Sequence, residues 1–186
     1  VNITHLMQMG LTEDDATFQG IDVSPETVEA AKRHGLNVSI GNGLTLPFPD
    51  ASFDAVYTHD VLHHLADDAE RVQFFSEMKR VTLPGGVIVV IEPNPANPMI
   101  FALALLVKAE RGLLTGTESR LTRLLPGSRV VRTCPSAAWR GWYHYRSPLR
   151  NWAPTALVTR VLLRVWESFS RLLPDSLWAW RVYVWE

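Results

Sequence analysis

The residues able to do chemistry in this chain gather at the ends of short apolar runs. Asp22 closes the run Phe18–Ile21, and Asn42 follows Asn37–Ile40. His59 follows Phe53–Tyr57, and Glu92 follows Val87–Ile91. His63 and His64 come a few residues after His59, in the segment HDVLHHL. A neutral imidazole there suits proton transfer at pH 7, although buried and capping histidines are the more frequent case. No metal-ligand cluster and no nucleophile motif accompanies these residues, and the single Cys134, next to Pro135, reads as structural.

The elements that must position them follow from the pattern. Each run is rich in β-branched or aromatic residues and ends on a polar one, as a strand buried on both faces does. Helical patterns follow the first and third runs, and that alternation predicts an α/β, doubly wound, mostly parallel sheet. Ligands of such sheets bind outside the carboxyl ends of the strands, where Asp22, Asn42, His59 and Glu92 fall.

Local signals place the helices. Ser24 is a candidate N-cap with Pro25 at the first helical position, Val28 and Ala31 turn inward, and Gly35 stops the helix. Asp67 caps a second helix, from Asp68 to about Val81, with Glu70 completing a capping box and Val72, Phe75 and Met78 on its apolar stripe. Leu83-Pro84-Gly85-Gly86 is expected to turn the chain into the fourth strand. Pro98 opens an apolar helix to about Leu106. Val1–Gly10 reads as the end of a helix, Ala156–Leu173 as an amphipathic helix carrying Arg160, Arg164 and Arg171 on one side, and LWAWRVYVWE as a strand.

Composition sets the outer bounds. Hydrophobic residues make up 47% of the 186 and charged residues 20%, which is globular and excludes general disorder. One cysteine allows no internal disulfide, so a reducing, cytoplasmic setting is expected. The longest uncharged apolar run, Met99–Val107, is well short of the roughly twenty residues a membrane-spanning helix needs. The net charge of −1 conceals a division. Residues 1–107 hold 5 Lys/Arg and 14 Asp/Glu, while residues 108–186 hold 13 and 5, together with all seven Trp. A basic, Trp-rich half suits either an anionic or interfacial partner, at the inner face of a membrane, or simple complementarity with the acidic half.

With these residues in view, the chain resembles the class I S-adenosylmethionine-dependent methyltransferases, nearest the type 11 group that includes the ubiquinone and menaquinone biosynthesis enzymes. The resemblance covers roughly Asn2 to Pro95. It rests on four pieces in order: GIDVSP, the run GNGLTLPFPDASFD, VLHHL, and the LPGG turn. It divides the chain into a cofactor-binding core, 1–95, and the substrate-side or lid helices and terminal strands of the same domain, 96–186.

That resemblance implies S-adenosyl-L-methionine as cofactor. It gives Asp22 the ribose hydroxyls, sets Val23 and Leu44 on the two faces of the adenine, and puts Asn42 and the Gly43 N–H at its edge. The family usually has Asp where this chain has Asn42. His59 would lie by the methionine moiety, and His63 and His64 beside the transfer site. The region after Pro95 would be the substrate side, and its apolar helix and Arg- and Trp-rich sequence suggest a small, hydrophobic or lipid-like acceptor. Arg residues dispersed among apolar positions, without a nucleic-acid motif, speak against nucleic acid. The family's glycine-rich loop is absent, and NITHLMQ resembles the helix that follows it. The expectation is therefore a chain lacking its N-terminal strand and loop, with two sheet edges left open. A non-catalytic binding module or inactive fragment is the alternative. A nicotinamide-dependent oxidoreductase leaves the LPFPDASFD run unexplained.

Overall fold

The computed structural model describes residues 17–106, 129–132, 172, 174, 177 and 180–185. The helices expected at Val1–Gly10 and Ala156–Leu173 lie outside these residues, apart from Leu172, as do Cys134 and most of the basic, aromatic half. The chain divides into two compact units, Val1–His59 with Ala66–Val87 and Asp60–Leu65 with Ile88–Glu186.

In the first unit, β1 (Gly20–Asp22) and β2 (Val38–Ile40) run parallel, with Asp22 opposite Ile40. The helix α1 (Pro25–Arg33) makes the crossover that parallel neighbours require. Ser24 Oγ accepts the Thr27 N–H at 3.2 Å, Pro25 occupies the first turn where no N–H is needed, and Gly35 takes a φ of 77° just past the end. Val28 and Ala31 are buried against Leu36 and Val38, as their spacing predicts.

The second helix of this unit, α2, spans Asp68–Val81. Asp67 Oδ1 accepts the Glu70 N–H at 2.9 Å, and Glu70 Oε2 reaches back to the Ala66 N–H at 2.8 Å, one residue before the cap. The buried stripe is Arg71, Phe75, Met78 and Val81, and Val72 is 48% exposed, which corrects the stripe expected from sequence. Arg71 sits four residues before Phe75 and completes the row, with Nη1 donating to Asp68 Oδ1 at 2.8 Å. Such a paired head lets the aliphatic stem of an Arg pack like an apolar side chain.

Strand β3 (Phe53–His59) neighbours β4 (Thr82–Pro93). The LPGG segment therefore lies inside a strand instead of forming a turn ahead of it. The glycines make this possible: Gly85 has a φ of 80°, and a side chain on Gly86 would sit 2.7 Å from the Asp54 carbonyl oxygen. Among the described residues β1 and β2 form a sheet of their own, and no ladder joins β1 to β3.

In the second unit β6 (Trp180–Trp185) pairs antiparallel with the end of β4, Val90 opposite Tyr183. It also pairs antiparallel with β5 (Arg129–Arg132), a strand the sequence reading did not anticipate. The helix α3 (Pro98–Leu106) starts as its proline predicts. Asn97 caps it, its Oδ1 accepting the Ile100 N–H at 3.2 Å while its Nδ2 donates to the Leu177 carbonyl at 2.7 Å. Ile88, Val90, Ile100, Ala104, Val182, Tyr183 and Trp185 are buried in this unit.

Candidate functional site

Two groups of predicted residues are assembled, one within each unit. The first lies at the adjoining carboxyl ends of β1 and β2. The Gly41 N–H donates to the Asp22 carbonyl at 3.1 Å, so the turn after β2 is fastened to the end of β1. Asp22 Oδ1 accepts the Ser24 N–H at 2.8 Å. That bond orients the carboxylate and, among the described residues, engages only one of its two oxygens. Val23, directly after it, is 69% exposed. An aliphatic side chain left uncovered beside an oriented carboxylate suits a ligand with one apolar face and hydroxyls at its rim.

Asn42 begins the turn on the other side. Its Oδ1 accepts the Leu44 N–H at 3.0 Å, and its carbonyl accepts the Thr45 N–H at 3.1 Å. The amide oxygen thus holds the turn closed, a task an Asp carboxylate would perform equally well. Gly43 has a packing reason as well as any ligand-side one: a Cβ there would run into the ring of Phe74 on α2. Asp22, Val23, Asn42, Gly43 and Leu44 are therefore brought together. His59 ends β3, a different strand, where its ring lies 6.4 Å from that of Tyr57, two residues earlier.

The second group is built on Glu92, which is 2% exposed near the end of β4. Its Oε1 accepts the N–H groups of Val61 and Leu62 at 2.9 and 2.8 Å, and its Oε2 lies 2.8 Å from His63 Nδ1. The other ring nitrogen of His63 is 3.5 Å from Asp60 Oδ1. Asp60 itself has a φ of 63°, and its N–H donates to the Ile91 carbonyl at 2.9 Å. A non-glycine residue in this left-handed region costs about 1–2 kcal/mol, a strain held in place by the Asp60 bond to Ile91 and by the bonds of Val61 and Leu62 to Glu92. His63 is 3% exposed, whereas His64 is open to solvent, their ring centroids 4.0 Å apart.

The two histidines are thus distinguished by the fold. His63 is tied down on a carboxylate, and His64 is the exposed member of the pair. Sequence reasoning placed Glu92 at a strand end but gave it no partner, since nothing in the spacing joins position 92 to position 63. Nor did it single out Glu77 and Arg80 on α2, which form a two-point ion pair, Nε to Oε1 at 2.7 Å and Nη2 to Oε2 at 2.8 Å. Their i, i+3 spacing on a helix was the available signal.

The family profile described as a methyltransferase domain matches residues 2–90. Residues 2–90, a little under half of the chain, are thus similar to that methyltransferase-domain family. A demethylmenaquinone methyltransferase of Corynebacterium efficiens is 31% identical to the chain over 150 residues, 80% of this chain and 57% of that protein. A probable tRNA methyltransferase 9B of Bos taurus is 37% identical over 71 residues, 38% of this chain and 16% of that protein. The chain thus spans less than two thirds of these relatives' length. The solved structure of a SAM-dependent methyltransferase from Archaeoglobus fulgidus superposes with a TM-score of 0.59 at 14% identity, covering 98% of this chain and 79% of that one. That likeness shows the methyltransferase domain's Rossmann-like α/β fold, as the alternation of strands and helices predicts. The β6 ladders add antiparallel pairing to it, as is common in doubly wound sheets.

Proposed function

We propose that the protein carrying this chain transfers the methyl group of S-adenosylmethionine to a small, hydrophobic or lipid-like acceptor. The observation that carries the reading is the end of β1, where an oriented Asp22 carboxylate stands beside the uncovered Val23 and is fastened to the turn after β2. These residues suit the cofactor. A carboxylate accepts from vicinal ribose hydroxyls, the aliphatic side chains of Val23 and Leu44 suit the faces of an adenine, and the Asn42 amide and Gly43 N–H suit its edge. When bound, S-adenosylmethionine supplies a methyl group already activated on a sulfonium.

The chain's own tasks are then to hold the ligands in line, to exclude water and to place a proton acceptor. His59 is assigned to the methionine end. Of the two candidate proton acceptors, His63 is buried on Glu92 and suits anchoring of the 60–65 turn, so His64 is the stronger candidate to receive an acceptor's proton. The nature of the acceptor follows from how far the resemblance extends. The match to the relative named for demethylmenaquinone takes in 80% of this chain, beyond the cofactor core, whereas the match to the relative named for tRNA takes in 38%. The basic, Trp-rich sequence after residue 107 supports contact with the inner face of a membrane, on the cytoplasmic side, where such an acceptor is reached.

The test is methyl transfer from tritiated S-adenosylmethionine by the protein expressed from its full reading frame. It is offered in parallel a quinol in anionic phospholipid vesicles and bulk tRNA. Label in the organic phase is expected, with the protein sedimenting with the vesicles at low salt. Label in the acid-precipitated RNA alone would overturn the acceptor, and no sedimentation would overturn the membrane contact.

A further inference from the structure

The segment Leu44–Ala51, which follows the Asn42–Gly43 turn, satisfies much of its backbone through α2. Gln73 Nε2 donates to the Leu44 carbonyl at 3.1 Å. Glu77 Oε2 accepts the Leu46 N–H at 2.8 Å. Arg80 donates from Nη2 to the Leu46 carbonyl at 3.1 Å, and from Nη1 to the Phe48 carbonyl at 2.8 Å and to Asp50 Oδ1 at 2.7 Å. The Arg80 carbonyl accepts the Ala51 N–H at 2.8 Å. Gln73, Glu77 and Arg80 recur at spacings of four and three, on one side of the helix, and Phe74 beside them fills the space over Gly43.

Within this group Arg80 and Glu77 form a two-point pair, Nε to Oε1 at 2.7 Å and Nη2 to Oε2 at 2.8 Å. The planar fork of the guanidinium meets the carboxylate and still has donors left for two carbonyls and Asp50, a geometry that Lys cannot reproduce. The pair holds the Glu77 carboxyl down at about 2, chiefly through the Arg80 bonds and then through the Leu46 N–H.

We propose that Glu77 and Arg80 are positioning residues for ligand binding. They form a clasp on α2 that fixes the Asn42–Leu44 turn by gripping the strand-less segment immediately after it. The inference rests on the reading of that turn as the adenine side of the site. It adds two residues that touch no ligand and sit more than thirty positions away in sequence. A backbone segment with no ladder of its own has its amides satisfied by side chains or by water, so loosening the clasp frees the turn to sample other positions. Ligand affinity then falls by the fraction of time the turn is out of place.

The experiment compares the full-length wild type with Glu77→Gln and Arg80→Lys at a temperature where each is folded by circular dichroism. It reads the dissociation constant of S-adenosylhomocysteine by calorimetry and amide hydrogen exchange at Leu44, Leu46 and Ala51. Both variants are expected to lose about tenfold in affinity, the size of effect residues remote from a ligand exert, with faster exchange at the Leu46 amide. A purely structural role would lower the melting temperature and leave the affinity of the folded protein unchanged, which would overturn the proposal. Unchanged Leu46 exchange in both variants would overturn it too, whether or not ligand binds. Failure of the wild type itself to bind, with the exchange changes present, would count against the cofactor reading and against any role of the clasp in ligand binding. Should Glu77→Gln not fold, Arg80→Lys and Gln73→Ala carry the same comparison.

Discussion

Glu92 Oε2 lies 2.8 Å from His63 Nδ1, and the other oxygen of the same carboxylate takes the backbone N–H groups of Val61 and Leu62. One buried side chain near the end of β4 therefore organises the whole 60–65 turn. Removing it takes the carboxylate away from two backbone N–H groups and an imidazole, of which Leu62 and His63 are buried. Glu92→Ala is expected to cost at least about 1–3 kcal/mol, the penalty for leaving a buried hydrogen-bonding group unsatisfied. Glu92→Gln is expected to cost less, since the amide oxygen still serves the two N–H groups. Urea denaturation of the three proteins checks the order.

Gly43 tests the packing of the ligand-side turn. A methyl group there meets the Phe74 ring, so Gly43→Ala is expected to destabilise by about 1–3 kcal/mol, as overpacking does. Adding Phe74→Ala opens the space. The double variant is therefore expected to lose less than the sum of the two single losses, by at least about 0.5 kcal/mol. Strict additivity would mean that the ring is not what excludes the side chain.

Acid should act on the clasp with a definite sign. The Glu77 carboxyl is lowered in the folded chain from 4.5 to about 2. Between those values the unfolded chain binds the proton and the folded chain does not, so falling pH favours unfolding there. The stabilisation from Glu77 is expected to be complete above pH 4.5 and to disappear as the pH approaches 2. The stability difference between wild type and Glu77→Gln, followed by denaturant titration across that window, should shrink steadily toward low pH.

Ala51 offers a gain instead of a loss. Its φ of 48° is left-handed, and its side chain is exposed. Ala51→Gly is expected to stabilise by about 0.5–1 kcal/mol, the strain relieved less the entropy glycine adds to the unfolded chain. The urea midpoint should rise with an unchanged slope.

Much of this architecture is legible from local chemistry. Ser24-Pro25, Asp67 and Pro98 mark helix starts because capping involves residues a few positions apart, and the apolar runs mark β1 to β4 for the same reason. What the sequence hides is what long-range contact decides. Arg71 takes the place of Val72 on the buried stripe with its guanidinium paired to Asp68, a contact that hydrophobic periodicity does not register. The glycines of LPGG read as a turn until the backbone of β3 passes close beside Gly86 and keeps them in a strand. β5 carries arginines at both ends and is recognised only through its pairing with β6. Among the candidate site residues, Asp22 and Asn42 are legible as strand-end residues. The union of Glu92 with His63, and of Glu77 and Arg80 with residues 46–50, joins positions some thirty apart.

The central claim is that Asp22 holds the ribose of S-adenosylmethionine, and calorimetric titration of S-adenosylhomocysteine tests it most directly. The variant to compare is Asp22→Asn, which retains an oxygen for the Ser24 N–H and removes only the charge. The protein expressed from its full reading frame is expected to bind. Asp22→Asn should bind about 10–100-fold more weakly, the worth of a hydrogen bond to a charged group. Equal affinity of the two proteins, or no binding by the wild type, would contradict the account.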